Sequence, residues 1–142
     1  MEAEGSLDLT AVSEGTQLNP LQKEILQGNI NLYAEASRDF NPIHIDEEFA
    51  RNTSLGGTIA HGMLVLAYLS QMLTANFGKD WISGGKLNMR FKTPARPGDT
   101  VTISGKIRKI EQTGGQTSIK CDVLCENQSG ETIISGDAGL SK

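Results

Sequence analysis

The stretch "IAHGMLVLAYLSQMLTANFG", residues 59–78, constrains the fold of this chain more than any other. Between residues 63 and 69 apolar side chains fall on nearly every side of a helix. A helix that is apolar all round is buried, not laid on a surface. The apolar run is far too short to span a bilayer, so its cover must come from the protein itself. Gly78 is placed to stop the helix just past its end.

The cover is legible immediately downstream, where the hydrophobic period changes from that of a helix to two. In "KLNMRFKT", Leu87, Met89 and Phe91 alternate with Lys86, Asn88, Arg90 and Lys92. "PARPGD" reads as a loop, with Arg96 and Asp99 as turn chemistry. In "TVTISGKIRKI", Val101, Ile103 and Ile107 share a face, "QTGG" predicts a hairpin turn, and Ile119, Cys121, Val123 and Cys125 share a face of the next strand. "NQSGE" turns again before a last strand, "TIISGDAGL". A sheet with one apolar face needs a cover, and the apolar helix supplies it. The expected fold is α+β: a curved antiparallel sheet wrapped around a buried central helix, the hot-dog architecture.

Upstream, Leu21, Lys23 and Ile25 alternate with polar neighbours in a short strand-like run, and Gly28-Asn29 predicts a break. Ile30, Tyr33, Ala34 and Ser37 follow at helical spacing. That helix must end before Pro42, because the residue preceding a proline avoids the helical region. An extended turn is expected after it, then a short helical turn and a loop closed by Gly56-Gly57. Residues 1–17, polar and acidic with scattered Gly and Ser, predict a loose N-terminal arm or a weak edge strand. Residues 18–142 predict one domain.

The formal charge of -4 and the absence of any Lys/Arg-rich run argue against a nucleic-acid partner. With 37% hydrophobic and 21% charged residues, the chain of 142 residues has the make-up of a soluble globular domain. Two cysteines, Cys121 and Cys125, are too few for a disulfide scaffold and fit a strand face, so both are expected reduced. The opening "MEAEGSLDLTAVSEG" lacks a basic n-region and an apolar h-region, so the expected compartment is the cytoplasm, with no membrane partner.

The chemistry concentrates in "RDFNPIHIDEEFA", residues 38–50, which holds one of only two histidines among four carboxylates. A helix end that turns sharply at Pro42 can aim Asp39 and His44 into one cleft. A carboxylate and an imidazole can both cycle protons near neutral pH. Adding water across a conjugated double bond needs such a pair: one group takes a proton from water, the other places one on carbon. Asn41, between them, can orient water or either partner. In "AHGM", residues 60–63, the backbone N–H groups opening the buried helix lack partners and carry the positive end of its dipole. Gly62, without a side chain, would let an oxyanion approach closely. Each feature also has a plain structural reading: Asp39 as a cap, His44 and His61 as core histidines, Gly62 as a close-packing residue. Asp39, His44 and Asp46 as a metal set match the spacing of no common zinc motif. The residues alone support a small α+β domain with a candidate acid/base site.

The segments "ASRDFNPIHIDEEFA", "GGTIAHGML" and "RFKTPARPGDTV" resemble the MaoC-like dehydratase family, and the first two its hydratase-2 motif, that of the (R)-specific enoyl-CoA hydratases. The resemblance runs from Leu18 to the C-terminus, and the D-x-N-P-x-H-x-D string joined to H-G-M is highly specific. It implies the hot-dog fold, catalytic Asp39 and His44, a supporting Asn41, an oxyanion hole at Gly62, and neither cofactor nor metal. The implied reaction is reversible syn hydration of a trans-2-enoyl-CoA to the (R)-3-hydroxyacyl thioester, in a homodimer. The alternatives are a (3R)-hydroxyacyl-ACP dehydratase acting on an acyl-ACP, a hot-dog thioesterase, and a non-catalytic acyl-CoA-binding module. Three positions depart from the family's habit. Arg38 stands where Gly often precedes the Asp, Leu26 where Thr or Ser often opens the first helix, and Ala67 where some members carry a small hydroxyl residue.

Overall fold

The computed structural model describes residues 7–9 and 11–142. In chain order the elements are β1 (Leu21–Glu24), α1 (Gln27–Ser37), α2 (Pro42–Ile45), α3 (Glu47–Arg51), α4 (Gly62–Phe77), α5 (Lys79–Gly84), β2 (Lys86–Phe91), β3 (Thr100–Thr113), β4 (Gln116–Glu126) and β5 (Thr132–Ser141). The strands form one five-stranded sheet in the order β1-β3-β4-β5-β2, with every pairing antiparallel. Helix α4 packs across its apolar face. This is the α+β hot-dog arrangement that the change of period predicts.

The packing follows the two periods. Along α4, Leu64, Val65, Leu69, Met72, Leu73, Asn76 and Phe77 are buried, the three-and-four spacing of one helix face. They meet Val101, Ile103, Ile107, Ile119, Cys121, Val123 and Cys125 from the strands. The opposite stripe of α4 departs from the expectation of a helix buried on all sides. Met63 is 58% exposed, and Ala67, Gln71 and Ala75 follow it outward at every fourth position. One sheet covers one face.

Two register shifts bend the sheet, one between Ile107 and Lys109 and one between Cys125 and Glu126. A bulge adds a residue to one strand and increases local twist. At the second shift Ile133 and Ile134 are both buried although they are consecutive, which simple alternation would forbid. Phe91, placed on the apolar face of β2 by its alternation, is instead 54% exposed. It ends an edge strand and reaches past the core.

The other helices differ from expectation in three places. Helix α1 begins at Gln27 and runs through Gly28-Asn29, because Asn29 N and Ile30 N both donate to the Leu26 carbonyl. Residue 26 has extended dihedrals and makes no side-chain cap, the weak start that a leucine there entails. The segment after Asn41 is two short helices, not an extended turn. Pro42 opens α2, a position where its missing N–H costs nothing and its fixed φ is already helical. The short helix α5 had no periodic signal. It is held by Trp81, 7% exposed, whose Nε1 donates to Ser70 Oγ at 3.0 Å.

Of residues 1–17, the described part lies against the domain. Leu9 is 5% exposed, and Leu7 N donates to the Asn76 carbonyl at 2.6 Å. Gly15 N donates to Ile107 O at 2.7 Å, and Ile107 N to Thr16 O at 2.8 Å. The segment thereby continues the β1 edge along β3. Among the described residues no helix is long and apolar enough to cross a membrane.

Cys121 and Cys125 are both buried and unbridged. Burial pushes each thiol up to about 12, with Asp122 and Glu126 adding to the effect at the respective neighbour. Residues four apart on a strand stand about 13 Å apart, beyond the reach of a disulfide. Thiol titration should therefore find two free thiols in denaturant and almost none reactive in the native protein. A Cys121–Cys125 bridge would overturn the strand assignment.

Candidate active site

Helix α1 ends with Ser37, whose Oγ donates to the Tyr33 carbonyl at 2.7 Å and accepts from Asp39 N at 3.2 Å. Arg38 then turns the chain with φ 64° and ψ 19°, the one non-glycine residue at positive φ among those described. The turn sets Asp39 beside His44, with its side chain 53% exposed. Asp39 Oδ1 accepts from Asn41 N at 3.3 Å, and Asn41 Oδ1 accepts from Ile43 N at 3.2 Å. Asn41 is therefore the N-cap of α2, and the cap fixes how that single turn leaves the loop.

Helix α2 carries His44, which is 8% exposed. Its Nδ1 lies 2.8 Å from the Ile59 carbonyl. A carbonyl can only accept, so Nδ1 holds a proton, and in the neutral tautomer Nε2 is the bare nitrogen. Nε2 stands 3.9 Å from Asp39 Oδ2. The His44 carbonyl accepts from Gln27 Nε2 at 2.7 Å, and that amide also donates to Asn31 Oδ1 at 2.9 Å. Ile59 N donates to Ile43 O at 3.1 Å, so α2 and the loop before α4 grip each other through the backbone.

A second polar layer holds this grip from below. Glu47, in the first turn of α3, accepts from Thr58 N at 3.1 Å and from Thr58 Oγ1 at 2.9 Å. The Thr58 backbone N–H, then its hydroxyl, hold the Glu47 carboxyl below the usual range, with smaller help from Arg51 and Arg96 against desolvation. Thr58 Oγ1 is also 2.8 Å from Gln27 Oε1, so its one proton serves two acceptors. Gln27, Glu47, Thr58 and Ile59 all position His44, and sequence reasoning singled out none of them. Ile59 acts through its backbone, which leaves no side-chain signal. Gln27 and Thr58 are polar residues of a kind found on any surface.

Gly62 is the first residue of α4, and its N–H has no acceptor among the described residues. A Cβ there would stand 3.0 Å from Phe91 Cε1 and 3.1 Å from Cδ1, so glycine lets the exposed ring of Phe91 lie on the helix start. Beside them is a cavity of about 270 Å³, walled by Ala60, Val65, Phe91, Ala95 and Ile133. The bulge in β5 therefore puts Ile133 in the wall. A depression of about 300 Å³ elsewhere on the sheet is lined by Lys86, Lys109, Glu111 and Lys120, with Lys109 and Glu111 ion-paired at 2.8 Å, and has no histidine in its lining.

His61 is 2% exposed. Its ring stacks on that of His44, centroids 3.9 Å apart at 25°. Donor atoms of Asp39, His44 and His61 lie within 4.8 Å of one another, which raises the question of a metal. The geometry is unsuited to one. Stacked rings point their nitrogen lone pairs along near-parallel planes, whereas a zinc ion must lie about 2 Å from both nitrogens and in both ring planes. Asp46, the third member of the set considered from sequence, caps α3 by accepting from Phe49 N at 3.1 Å.

The MaoC like domain family model matches residues 10–127 of the chain. An (R)-specific enoyl-CoA hydratase of Rhodospirillum rubrum is 32% identical over 131 residues, 89% of this chain and 85% of that one. A 3-hydroxybutyryl-CoA dehydratase of Methylorubrum extorquens is 30% identical over 123 residues, 83% of this chain and 73% of the other. Among solved structures, an (R)-hydratase from A. caviae superposes with a TM-score of 0.78 at 25% identity, covering 92% of this chain and 96% of that one.

Arg38 offers a direct test of the local backbone. A residue with a Cβ in the left-handed region is strained, and glycine is not. Arg38→Gly should stabilise the protein by about 0.5–1 kcal/mol, once the added freedom of the unfolded chain is counted. Denaturant unfolding of the two proteins measures it, and a loss of stability would contradict the turn described.

Proposed function

The chain belongs to the MaoC-like domain family, and from that premise we propose that it is an (R)-specific enoyl-CoA hydratase, a hydro-lyase that adds water to trans-2-enoyl-CoA and runs equally in reverse. The observation that carries this reading is the 3.9 Å gap between His44 Nε2 and Asp39 Oδ2. It is too long for a direct hydrogen bond. It is right for one water oxygen to stand within hydrogen-bonding reach of both groups.

In that arrangement one member of the pair removes a proton from water as its oxygen attacks C3 of the enoyl group. The other member, which enters the step protonated, places its proton on C2 from the same side, which makes the addition syn. The pair ends with the proton count it started with. Negative charge accumulates meanwhile on the thioester oxygen, and the Gly62 N–H at the positive end of α4 stabilises it. The apolar cavity beside Gly62 and Phe91 receives the acyl chain. Asn41, whose Oδ1 is held by the α2 cap, has its NH₂ group left to orient the water. Every group needed belongs to the protein, so the reaction as proposed uses neither cofactor nor metal. CoA is the proposed carrier because both of the relatives described above are named for CoA thioesters. The cytoplasm is the proposed compartment, in keeping with two unbridged buried thiols.

Crotonyl-CoA tests the chemistry, since hydration removes the absorbance of the conjugated thioester. Release of free thiol would indicate a thioesterase, and no change at all a binding module. Asp39→Asn and His44→Ala should each lower the rate by at least about a hundredfold, the usual worth of a general acid or base. Both variants should remain folded, because neither side chain is part of the apolar core. Near-normal turnover in either would show that the roles are misassigned.

The proposed working unit is a homodimer. The outward stripe of α4, with Met63 at 58% exposure, and the exposed Phe91 at the end of edge strand β2 form an apolar surface next to the cavity. An edge strand offers unpaired backbone groups, and two-fold pairing is the commonest way to satisfy them. Light scattering at micromolar concentration should give twice the chain mass. A monomer with full hydratase activity would sink the proposal.

A further inference from the structure

The one buried side-chain nitrogen or oxygen without a hydrogen-bond partner among the described residues is His61 Nδ1. The other ring nitrogen, Nε2, lies 3.0 Å from the backbone carbonyl of Asp39. That carbonyl can only accept, so Nε2 carries the proton and Nδ1 is a bare lone pair with no donor. Tyr33 of α1 closes the ring in, 4.8 Å between centroids at 56°. An orphaned buried nitrogen is unfavourable. A phenylalanine would offer His44 the same flat surface without the orphan, and a glutamine could donate to Asp39 without the flat surface. Only histidine does both.

The position of this residue in the chain adds a third connection. His61 is the N-cap of α4, and its carbonyl accepts from Leu64 N at 3.0 Å and Val65 N at 3.3 Å. The next N–H is that of Gly62. One residue therefore touches Asp39 through its donor, His44 through its ring face, and the oxyanion-binding helix start through its own backbone. We propose that His61 is a positioning residue. Its Nε2–H tethers the Asp39 backbone so that the carboxylate stays at water-sharing distance from His44, in register with the Gly62 N–H. The claim rests on the hydratase reading for its kinetic consequence and on the tautomers alone for its geometry.

His44 and His61 are the only histidines in the chain, so nitrogen-detected NMR resolves two rings and His61→Gln assigns them. Expected in the neutral forms are a proton on Nε2 of His61 and on Nδ1 of His44. A proton on Nδ1 of His61 instead would overturn the tether. In kinetics, His61→Phe keeps the ring face and loses the donor. Its kcat on crotonyl-CoA should fall about tenfold or more, as for a small misplacement of a reacting group, with KM nearly unchanged. His61→Gln restores a donor and should recover most of that loss. Equal losses in both variants, each with a matching drop in melting temperature, would mean a merely structural histidine, and wild-type kcat in His61→Phe would remove the role. If His61→Phe does not fold, kcat of His61→Gln decides: near wild type supports the tether, a tenfold loss in a folded protein overturns it. Wild-type protein that leaves crotonyl-CoA untouched would refute the hydratase reading, and the tautomers would still decide the placement.

Discussion

Exclusion of water between α4 and the apolar face of the sheet is the contact from which everything else in this molecule takes its position. Each of Leu64, Leu69, Leu73 and Phe77 is buried, and burial of such a side chain is worth about 1.5–3 kcal/mol. The contact fixes the helix axis against the strands. It therefore fixes where the first turn of α4 emerges, and the polar groups of the site are attached to that point. The opposite end is clasped by Asn76, fully buried. Its side chain accepts from Asn19 N at 2.9 Å and donates to Asn19 O at 3.0 Å. The helix is thus anchored at both ends, apolar in the middle and polar at the tips.

The site itself sits on very short elements, and this accounts for its dependence on caps. Helix α2 has 4 residues and α3 has 5, too few to be stable alone. What holds them is a chain of polar contacts from Glu47 through Thr58 and Gln27 to the His44 carbonyl. Such a network orients an imidazole more tightly than apolar packing would, because each bond has a direction as well as a distance. The exposed Asp39 is held at its backbone, by Ser37 Oγ on its N–H and His61 Nε2 on its carbonyl, while its carboxylate accepts only from Asn41 N, so the side chain nearest to solvent is also the least constrained.

How much of this was legible from sequence differs by element, for physical reasons. The strands were read from their alternation, since burial on one face stamps its spacing on the chain, whereas α4 was read from its apolar run, which hid that one stripe of it is exposed. Val101, Ile103 and Ile107 all lie where alternation placed them. Helix α5 was missed because one tryptophan, not a repeated pattern, holds it. The extended turn expected after Asn41 proved helical because Pro42, though it ends a helix before it, starts one equally well. For the site, Asp39 and His44 drew attention as neighbours in sequence. The closeness of His44 to His61 could not be read, because the two are 17 positions apart in sequence and meet only when the loop before α4 folds back onto α2. Nor could the partner of His44 Nδ1, because a backbone carbonyl has no letter.

That last point bears on how such a site survives mutation. Three of its anchors, the Ile59 carbonyl, the Asp39 carbonyl and the Gly62 N–H, are main-chain atoms. No codon change can delete a carbonyl. For the tautomer of His44, position 59 matters only through the shape of its loop, so side chains of similar bulk leave that tautomer intact. A substitution that moves the peptide plane itself would cost far more than its chemistry suggests. For anyone building variant libraries, residue 59 is therefore a place to diversify the cavity wall, which its side chain also lines, without retuning the acid/base pair.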